Sequence, residues 1–168
     1  MATSSTKPPS RSPSSSSADA PPGLALVCRV RNRFCAVPVS EIDETLRPLP
    51  LEPMPSAPPF VSGWALVRGA PTPVVDAGAL LGADSDASPT RLVVLRVGAR
   101  RIALAVEAVV GLRTLPSPSG HPLPLLMSEV SADVVAALGA LDATLAAVLR
   151  TARLLPEAVW TAPADGTA

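Results

Sequence analysis

The sequence predicts an all-β protein made of short strands and turns. Proline and glycine are abundant, with 21 and 10 residues among 168, and both residue types interrupt long helices. From residue 24 onward, short apolar runs alternate with polar or glycine-containing turns, which is typical of hairpins. Apolar side chains make up 48% of the chain, so there are enough of them to bury a core of ordinary domain size.

The two ends of the chain differ in composition from its middle. The first 22 residues are rich in Ser, Pro and Ala and contain few large apolar side chains. Such a segment cannot offset the entropy cost of ordering its backbone, so we predict a disordered tail over residues 1–22. A shorter disordered tail is predicted over 161–168, which leaves 23–160 as a single folded domain. Because residues 2–22 lack the hydrophobic stretch of a signal peptide, we expect a cytoplasmic protein.

The folded part begins with a predicted hairpin, in which residues 24–30 and 35–39 are apolar strands on either side of a polar turn. A second hairpin is predicted around Gly98. The two hairpins align without a gap at an offset of 67 residues (95 − 28), which places Cys28 on Leu95 and Cys35 on Ile102. This alignment makes an internal duplication a candidate.

The later parts of the two halves support the duplication. Residues 73–81 resemble residues 147–155, and each segment reads as a strand that runs into a short helical turn ending in two leucines. Chance similarity between apolar strands is the alternative explanation, because Val, Leu and Ala dominate this chain. Two β-rich units of about 65 residues would each be marginal alone, so we expect them to share buried surface.

Residues 134–149 allow two interpretations. Five apolar residues between Val134 and Val148 follow helical spacing, and the surrounding alanines have high helix propensity. Gly139 and the match to the first half favour strands instead. We predict strands here, and the helix is the alternative.

The composition argues against several classes of function. The net charge is zero, and the aromatic residues are two Phe and two Trp without Tyr, so a base-stacking or phosphate-binding surface for nucleic acid is not expected. A single histidine, His121, disfavours metal sites and a histidine-dependent triad. We therefore expect no enzyme, no cofactor and no metal. Cys28 and Cys35 are predicted to be buried and reduced, with a redox switch as the alternative.

The most distinctive segment is the proline-rich stretch that begins at Pro48 and continues to Gly82. It resembles the CheW-like family of chemotaxis coupling proteins, whose pattern has prolines, a Phe-Val step, an Arg-Gly step and a Pro-Val-x-Asp step. The matching residues are Pro55, Pro58, Phe60, Gly63, Arg68, Gly69, Pro73, Val74 and Asp76. The resemblance extends loosely over about residues 24–156.

The resemblance implies a fold and a role. The fold is two interlocked small SH3-like five-stranded β-barrels with short helical turns. The role is that of a non-catalytic adaptor that couples the cytoplasmic tip of a chemoreceptor to the regulatory domain of a CheA-type histidine kinase. Neither a nucleic-acid partner nor direct insertion into a membrane is expected. The alternatives are a diverged adaptor of another receptor-kinase pathway, such as surface motility, and a small β-barrel that binds a ligand.

The resemblance also implies a partner-binding surface. Its members are Arg68, Gly69, Glu44 and Ile42, with Arg68 facing the partner and paired with Glu44, and with Ile42 near the receptor groove. From the residues alone, Ile42 is more readily explained as core. Asp76 is expected to cap the turn after its strand through its side-chain oxygen.

Several residues depart from the family pattern. Leu66 stands where the family usually has Asn. Glu107 and Arg150 stand where Asp is expected, and Cys28 and Cys35 replace hairpin aromatics.

Overall fold

The computed structural model describes residues 23–82, 88–115, 135–141, 144–149 and 154–160. For residues 115, 135–149 and 158 the description is limited to the backbone. The predicted tails, 1–22 and 161–168, lie outside the described residues, and so do His121 and Arg150.

The described chain is almost entirely β-structure, which confirms the predicted fold class. A single turn of 3₁₀ helix (Val39–Glu41) joins the second strand to the third. The segment that allowed a helix or strands forms two strands, as predicted. In chain order the elements are β1 (Gly23–Val30), β2 (Arg33–Pro38), β3 (Ile42–Leu46), β4 (Val61–Val67), β5 (Ala70–Asp76), α1 (Ala77–Leu80), β6 (Arg91–Val97), β7 (Arg100–Val106), β8 (Ala108–Leu115), β9 (Val135–Leu141), β10 (Thr144–Leu149) and α2 (Glu157–Trp160).

The strands form two five-stranded sheets. Sheet A has the order β8-β1-β2-β10-β9, and sheet B has the order β3-β6-β7-β5-β4. Each sheet has the five strands that were predicted for a barrel. The pairing among the described strands, however, leaves both sheets open rather than closed into barrels. Closure would require hydrogen bonds between the two edge strands of a sheet, β8 with β9 or β3 with β4, and neither pair occurs there.

The two halves of the chain have equivalent strand pairing, as an internal duplication predicts. Strands β1–β5 and β6–β10 occupy equivalent places in the two sheets. Each sheet consists of three antiparallel strands and an antiparallel pair, and one parallel pairing joins these two groups. The residue pairs of the central strands follow both predicted alignments, with an offset of 67 residues for the hairpins and of 74 residues (147 − 73) for the later segments. The equivalent pairs are Cys28 with Cys35 and Leu95 with Ile102 in the hairpins, and Ala36 with Val148 and Ala103 with Val74 in the parallel pairs.

The two sequence repeats do not coincide with the two sheets. Strand β3 follows β2 in the chain but pairs with β6, and β8 follows β7 but pairs with β1. Sheet B is therefore the continuous segment from β3 to β7, whereas sheet A joins β1 and β2 to the last three strands. Each repeat contributes to both sheets, and this exchange interlocks the two halves.

The main core lies between the two sheets and is shared by them. It draws alternate residues from β1 and β2 in sheet A and from β4 to β7 in sheet B, as expected for strands with one face inward. Cys28 and Cys35 are fully buried in it, opposite each other. Its largest fully buried side chains include Leu80, Leu81, Leu95, Ile102, Leu104 and Leu154.

The proline-rich crossing between β3 and β4 is anchored to the edge of sheet B. The backbone N–H and carbonyl groups of Glu52 and Trp64 bond to each other at 2.8 Å in both directions. Gly63 has a φ of 137°, and a Cβ atom there would lie 2.2 Å from the carbonyl oxygen of Glu52. Glycine is therefore required at this position, because the crossing and β4 approach each other through their backbones.

Two equivalent arginines hold the hairpins against the segments that follow β5 and β10. Arg33 donates a hydrogen bond to the carbonyl oxygen of Leu81 at 2.5 Å. Arg100, which the offset of 67 places on Arg33, donates to Glu157 at 2.8 Å and lies 5.0 Å from the ring centre of Trp160. The two arginines therefore occupy equivalent positions, but one bonds to a backbone carbonyl and the other to a carboxylate.

Candidate functional site

The turn between β4 and β5 presents an arginine in an uncommon backbone conformation. Val67 and Ala70 close a two-residue hairpin turn, and both central residues have positive φ, 50° at Arg68 and 80° at Gly69. A turn of this type favours Asn-Gly, because most side chains are strained there. A non-glycine residue in this region costs roughly 1–2 kcal/mol. Since such strain is often kept where function requires it, Arg68 is a candidate functional residue.

The guanidinium of Arg68 is held by a bidentate ion pair. Its Nε donates to Oε1 of Glu44 at 2.7 Å, and its Nη2 donates to Oε2 at 2.8 Å. The Arg68 side chain is 72% exposed, whereas that of Glu44 is only 17% exposed. The predicted pairing is confirmed, and the geometry fixes the orientation of an exposed cationic fork on the surface of sheet B.

A β-bulge brings a second carboxylate to the same surface. Ile42 pairs with Leu95 but Glu44 pairs with Val94, so Asp43 is the extra residue in β3. Because a bulge interrupts the alternation of side chains, successive residues can contribute to one surface.

The carboxylate of Asp43 bonds to two arginines. Arg96 donates to its Oδ1, and the Nε of Arg101 lies 2.9 Å from its Oδ2. Asp43, Arg96 and Arg101 are not among the site residues predicted from the sequence, although the adjacent acids Asp43 and Glu44 are a visible signal. The pairing of Asp43 with Arg101 depends on the exchange of β3 into the sheet of β7, which no local pattern indicates.

Opposite charges stabilise the ionised form of each carboxylate. The hydrogen bond from Arg68 lowers the pKa of Glu44, and the hydrogen bond from Arg96 lowers the pKa of Asp43. Glu44 in turn raises the pKa of Arg68. At neutral pH the cluster of three arginines and two carboxylates therefore carries a net charge of +1 (3 − 2), and Arg68 is the most exposed of the three arginines. Such a surface suits a partner that offers a carboxylate.

The other predicted site residues occupy supporting positions. Ile42 is half-buried and packs against the shared core, which agrees with its interpretation as core. Gly69 has nothing within 4 Å of a Cβ position, so its role in the turn is its positive φ. The predicted cap is confirmed, since Oδ1 of Asp76 accepts hydrogen bonds from the backbone N–H groups of Gly78 at 2.7 Å and Ala79 at 3.1 Å.

The positions that depart from the family pattern differ in their surroundings. Leu66 is 61% exposed, two residues before Arg68. Glu107 accepts a hydrogen bond from the side chain of Arg29 at 2.8 Å and another from the backbone N–H of Arg31 at 3.0 Å, so it joins sheet A to the end of β7.

The two thiols that replace the hairpin aromatics lie inside the core. Cys28 and Cys35 are both free and buried, as predicted. A hydrogen bond with the Cys28 thiol, together with burial, raises the pKa of Cys35 well above its ordinary value. Cys35 therefore stays protonated at neutral pH.

The described residues form neither a cluster of metal ligands nor a membrane-spanning helix. Among them, no three His, Cys, Asp or Glu side chains gather in a group that could hold a metal ion. None of the helices in the described ranges has the length and hydrophobicity needed to cross a bilayer.

Comparison with known proteins confirms the resemblance seen in the sequence. The model of the CheW-like domain family matches residues 24–159. The chain is 32% identical over 103 residues to the chemotaxis protein CheW of Rhizobium meliloti strain 1021, a match that covers 60% of this chain. The matched part spans 66% of that relative, slightly less than two thirds of its length.

A solved structure supports the fold independently. The crystal structure of the scaffolding protein TtCheW from Thermoanaerobacter tengcongensis superposes with a TM-score of 0.66 at 18% identity, covering 77% of this chain and 89% of that one. The family match extends from β1 to α2 and so includes both interlocked sheets and the Arg68 turn. The chain belongs to the CheW-like domain family.

Proposed function

We propose that this protein is a non-catalytic adaptor of chemotaxis signalling that couples chemoreceptors to a histidine kinase. Membership of the CheW-like family and the likeness to a scaffolding protein support an adaptor role. The proposed partners are the cytoplasmic tip of a chemoreceptor and the regulatory domain of a CheA-type kinase, and the proposed location is the cytoplasm, at receptor arrays. Because the matched part of the curated relative is not its whole length, the partners are proposals for this chain.

The observation that carries the proposal is the orientation of Arg68. Its ion pair with Glu44 spans two elements, the β4–β5 turn and the strand β3, and leaves the arginine 72% exposed. Asn or Gly fits the first position of this turn at a lower conformational cost, so the positive φ of Arg68 supports a role for its side chain. We propose Arg68 as the direct contact with a partner carboxylate, Glu44 and Gly69 as positioning residues, and Ile42 as the apolar border of the surface.

The first test separates partner binding from folding. Arg68→Asn removes the guanidinium but places in the turn a residue that tolerates positive φ, so the variant is expected to fold at least as stably as the natural chain. The expected result is loss of capture of a purified receptor tip fragment and of a kinase regulatory-domain fragment in a pull-down. Glu44→Gln, which keeps the shape but not the charge, should weaken capture less than Arg68→Asn does.

A matched control is available on sheet A. Arg113 in β8 is an exposed arginine whose side chain bonds to the backbone carbonyl of Leu112. Arg113→Asn changes the net charge by the same amount and should leave capture unchanged. If Arg68→Asn folds normally and still captures both fragments, the assignment of this surface is wrong.

A further inference from the structure

A shallow cleft on sheet B gathers aromatic, proline and arginine side chains beside the Arg68 turn. Its volume is about 650 Å³, within the range of ligand sites in proteins. The strand β5 supplies Ala70, Pro71, Thr72 and Pro73. Trp64 from β4 and Trp160 from α2 complete the apolar lining, and Ala99, Arg100 and Arg101 come from the β6–β7 hairpin.

The composition of this cleft differs from that of the rest of the molecule. The chain contains only two tryptophans and no tyrosine, and both tryptophans line the cleft. Each is only half-buried. Half-buried tryptophans next to arginines are typical of protein interfaces, where both residue types are enriched.

The titratable residues that line the cleft are arginines. Arg100 lies over the ring of Trp160, a position that keeps its guanidinium along the wall of the cleft. Each arginine has one acidic partner, Glu157 for Arg100 and Asp43 for Arg101, and neither acid lines the cleft. The side chains of Arg100 and Arg101 are 46% and 42% exposed, so the cleft presents guanidinium hydrogen-bond donors next to apolar faces.

We propose that this cleft binds an acidic, proline-containing peptide segment of a partner protein. An extended chain with prolines binds to tryptophan faces at a low cost in conformational entropy, because its backbone is already ordered before binding. Carboxylates on the same segment complement the arginines. The cleft shares Arg101 with the charged cluster around Arg68 but is not lined by Arg68 itself. The inference does not depend on the assignment of the receptor or the kinase.

Charge and geometry favour a peptide over a nucleic acid. Two arginines neutralise few phosphates, and a nucleic-acid surface normally carries a longer basic stripe. The proline residues of β5 also offer apolar contact without the hydrogen-bond donors that phosphates require. The test includes a single-stranded oligonucleotide as a competing ligand, because bases also stack on tryptophan faces.

The intrinsic fluorescence of the full chain reports directly on this cleft, since both tryptophans line it. The probe is the peptide acetyl-Glu-Pro-Leu-Pro-Glu-amide, and the comparison peptide replaces both glutamates with glutamines. We expect a saturable change in fluorescence with the acidic peptide and an affinity about tenfold weaker for the glutamine peptide. The single-tryptophan variants Trp64→Phe and Trp160→Phe should each retain part of the change.

Variants of the arginines complete the experiment. Arg100→Ala and Arg101→Gln should each weaken binding of the acidic peptide, whereas Arg113→Ala on sheet A should not. The comparison of the two peptides on the natural chain needs no variant, so it remains decisive even if Arg100→Ala fails to fold. The proposal is overturned by a missing fluorescence change at millimolar peptide, by equal affinity for both peptides, or by tighter binding of an oligothymidylate with the same fluorescence change.

Discussion

At the scale of single residues, Arg68 is informative because arginine is not a residue type that its positive φ favours. Local preference would place Asn or Gly at the first position of this turn. An arginine at this position strains the backbone. Its guanidinium is held in one orientation, because it donates two hydrogen bonds to Glu44. Local rules of this kind are broken most often at functional sites, where the function compensates for the cost.

The same ion pair predicts a dependence of stability on pH. The pKa of Glu44 is lowered in the folded protein by Arg68, so the folded state binds the Glu44 proton more weakly than the unfolded state does. The stabilising contribution is therefore present above the pKa of the unfolded chain, and it is lost as the pH falls through the lowered pKa of the folded state.

The measurement is a comparison of melting temperatures for the natural chain and Glu44→Gln from neutral pH down to about pH 3. The natural chain should melt higher near neutral pH, and the difference should shrink toward zero in acid. A difference that stays constant over the whole range, or that grows in acid, would contradict the role given to this carboxylate.

At the scale of elements, the proline-rich crossing and β4 depend on one glycine. Gly63→Ala would place a Cβ atom against the Glu52 carbonyl at a φ that alanine rarely adopts. Backbone must move to relieve this contact, so we expect a loss of about 2–4 kcal/mol in the free energy of unfolding. Denaturant titration of the variant measures that loss.

Gly69→Ala is the matched control for this prediction. Its φ is also positive, at 80°, but nothing lies within 4 Å of the added Cβ atom. Only the conformational cost remains, roughly 1–2 kcal/mol. Equal losses for the two variants would mean that the close approach of the crossing to β4 is not what requires Gly63.

At the scale of the whole molecule, the exchange of β3 and β8 makes the two repeats interdependent. A cut within residues 83–87 would separate β1–β5 from β6–β10, and each fragment would hold strands of both sheets without completing either. Each would also expose its share of the common core. We expect neither fragment to fold alone, and we expect the two to regain β-structure when mixed.

Circular dichroism and gel filtration of the separate and mixed fragments test this expectation. The mixture should give the β spectrum and the elution volume of the intact chain at equal concentrations of the fragments. A fragment that gives a cooperative thermal transition by itself would show that a repeat is a folding unit after all.

The amino-acid sequence by itself determined much of the local structure. Apolar runs and turn residues predicted the hairpins, the matching offset of 67 predicted the equivalence of Cys28 with Leu95, and the Arg-Gly step identified the turn that carries Arg68. Side-chain periodicity and turn chemistry act over a few residues, and such signals can be read directly from the chain.

Only the tertiary structure decided which strands share a sheet and which side chains meet. It divided each repeat between two sheets and left those sheets open in the described pairing. It also paired Asp43 with Arg101 and placed Trp64 and Trp160 in the lining of one cleft. The members of these pairs lie 58 (101 − 43) and 96 (160 − 64) positions apart in the chain. Strand exchange between similar repeats leaves each local pattern unchanged, because either partner strand offers the same apolar face. The partner is chosen by burial of the shared core, which belongs to the whole molecule.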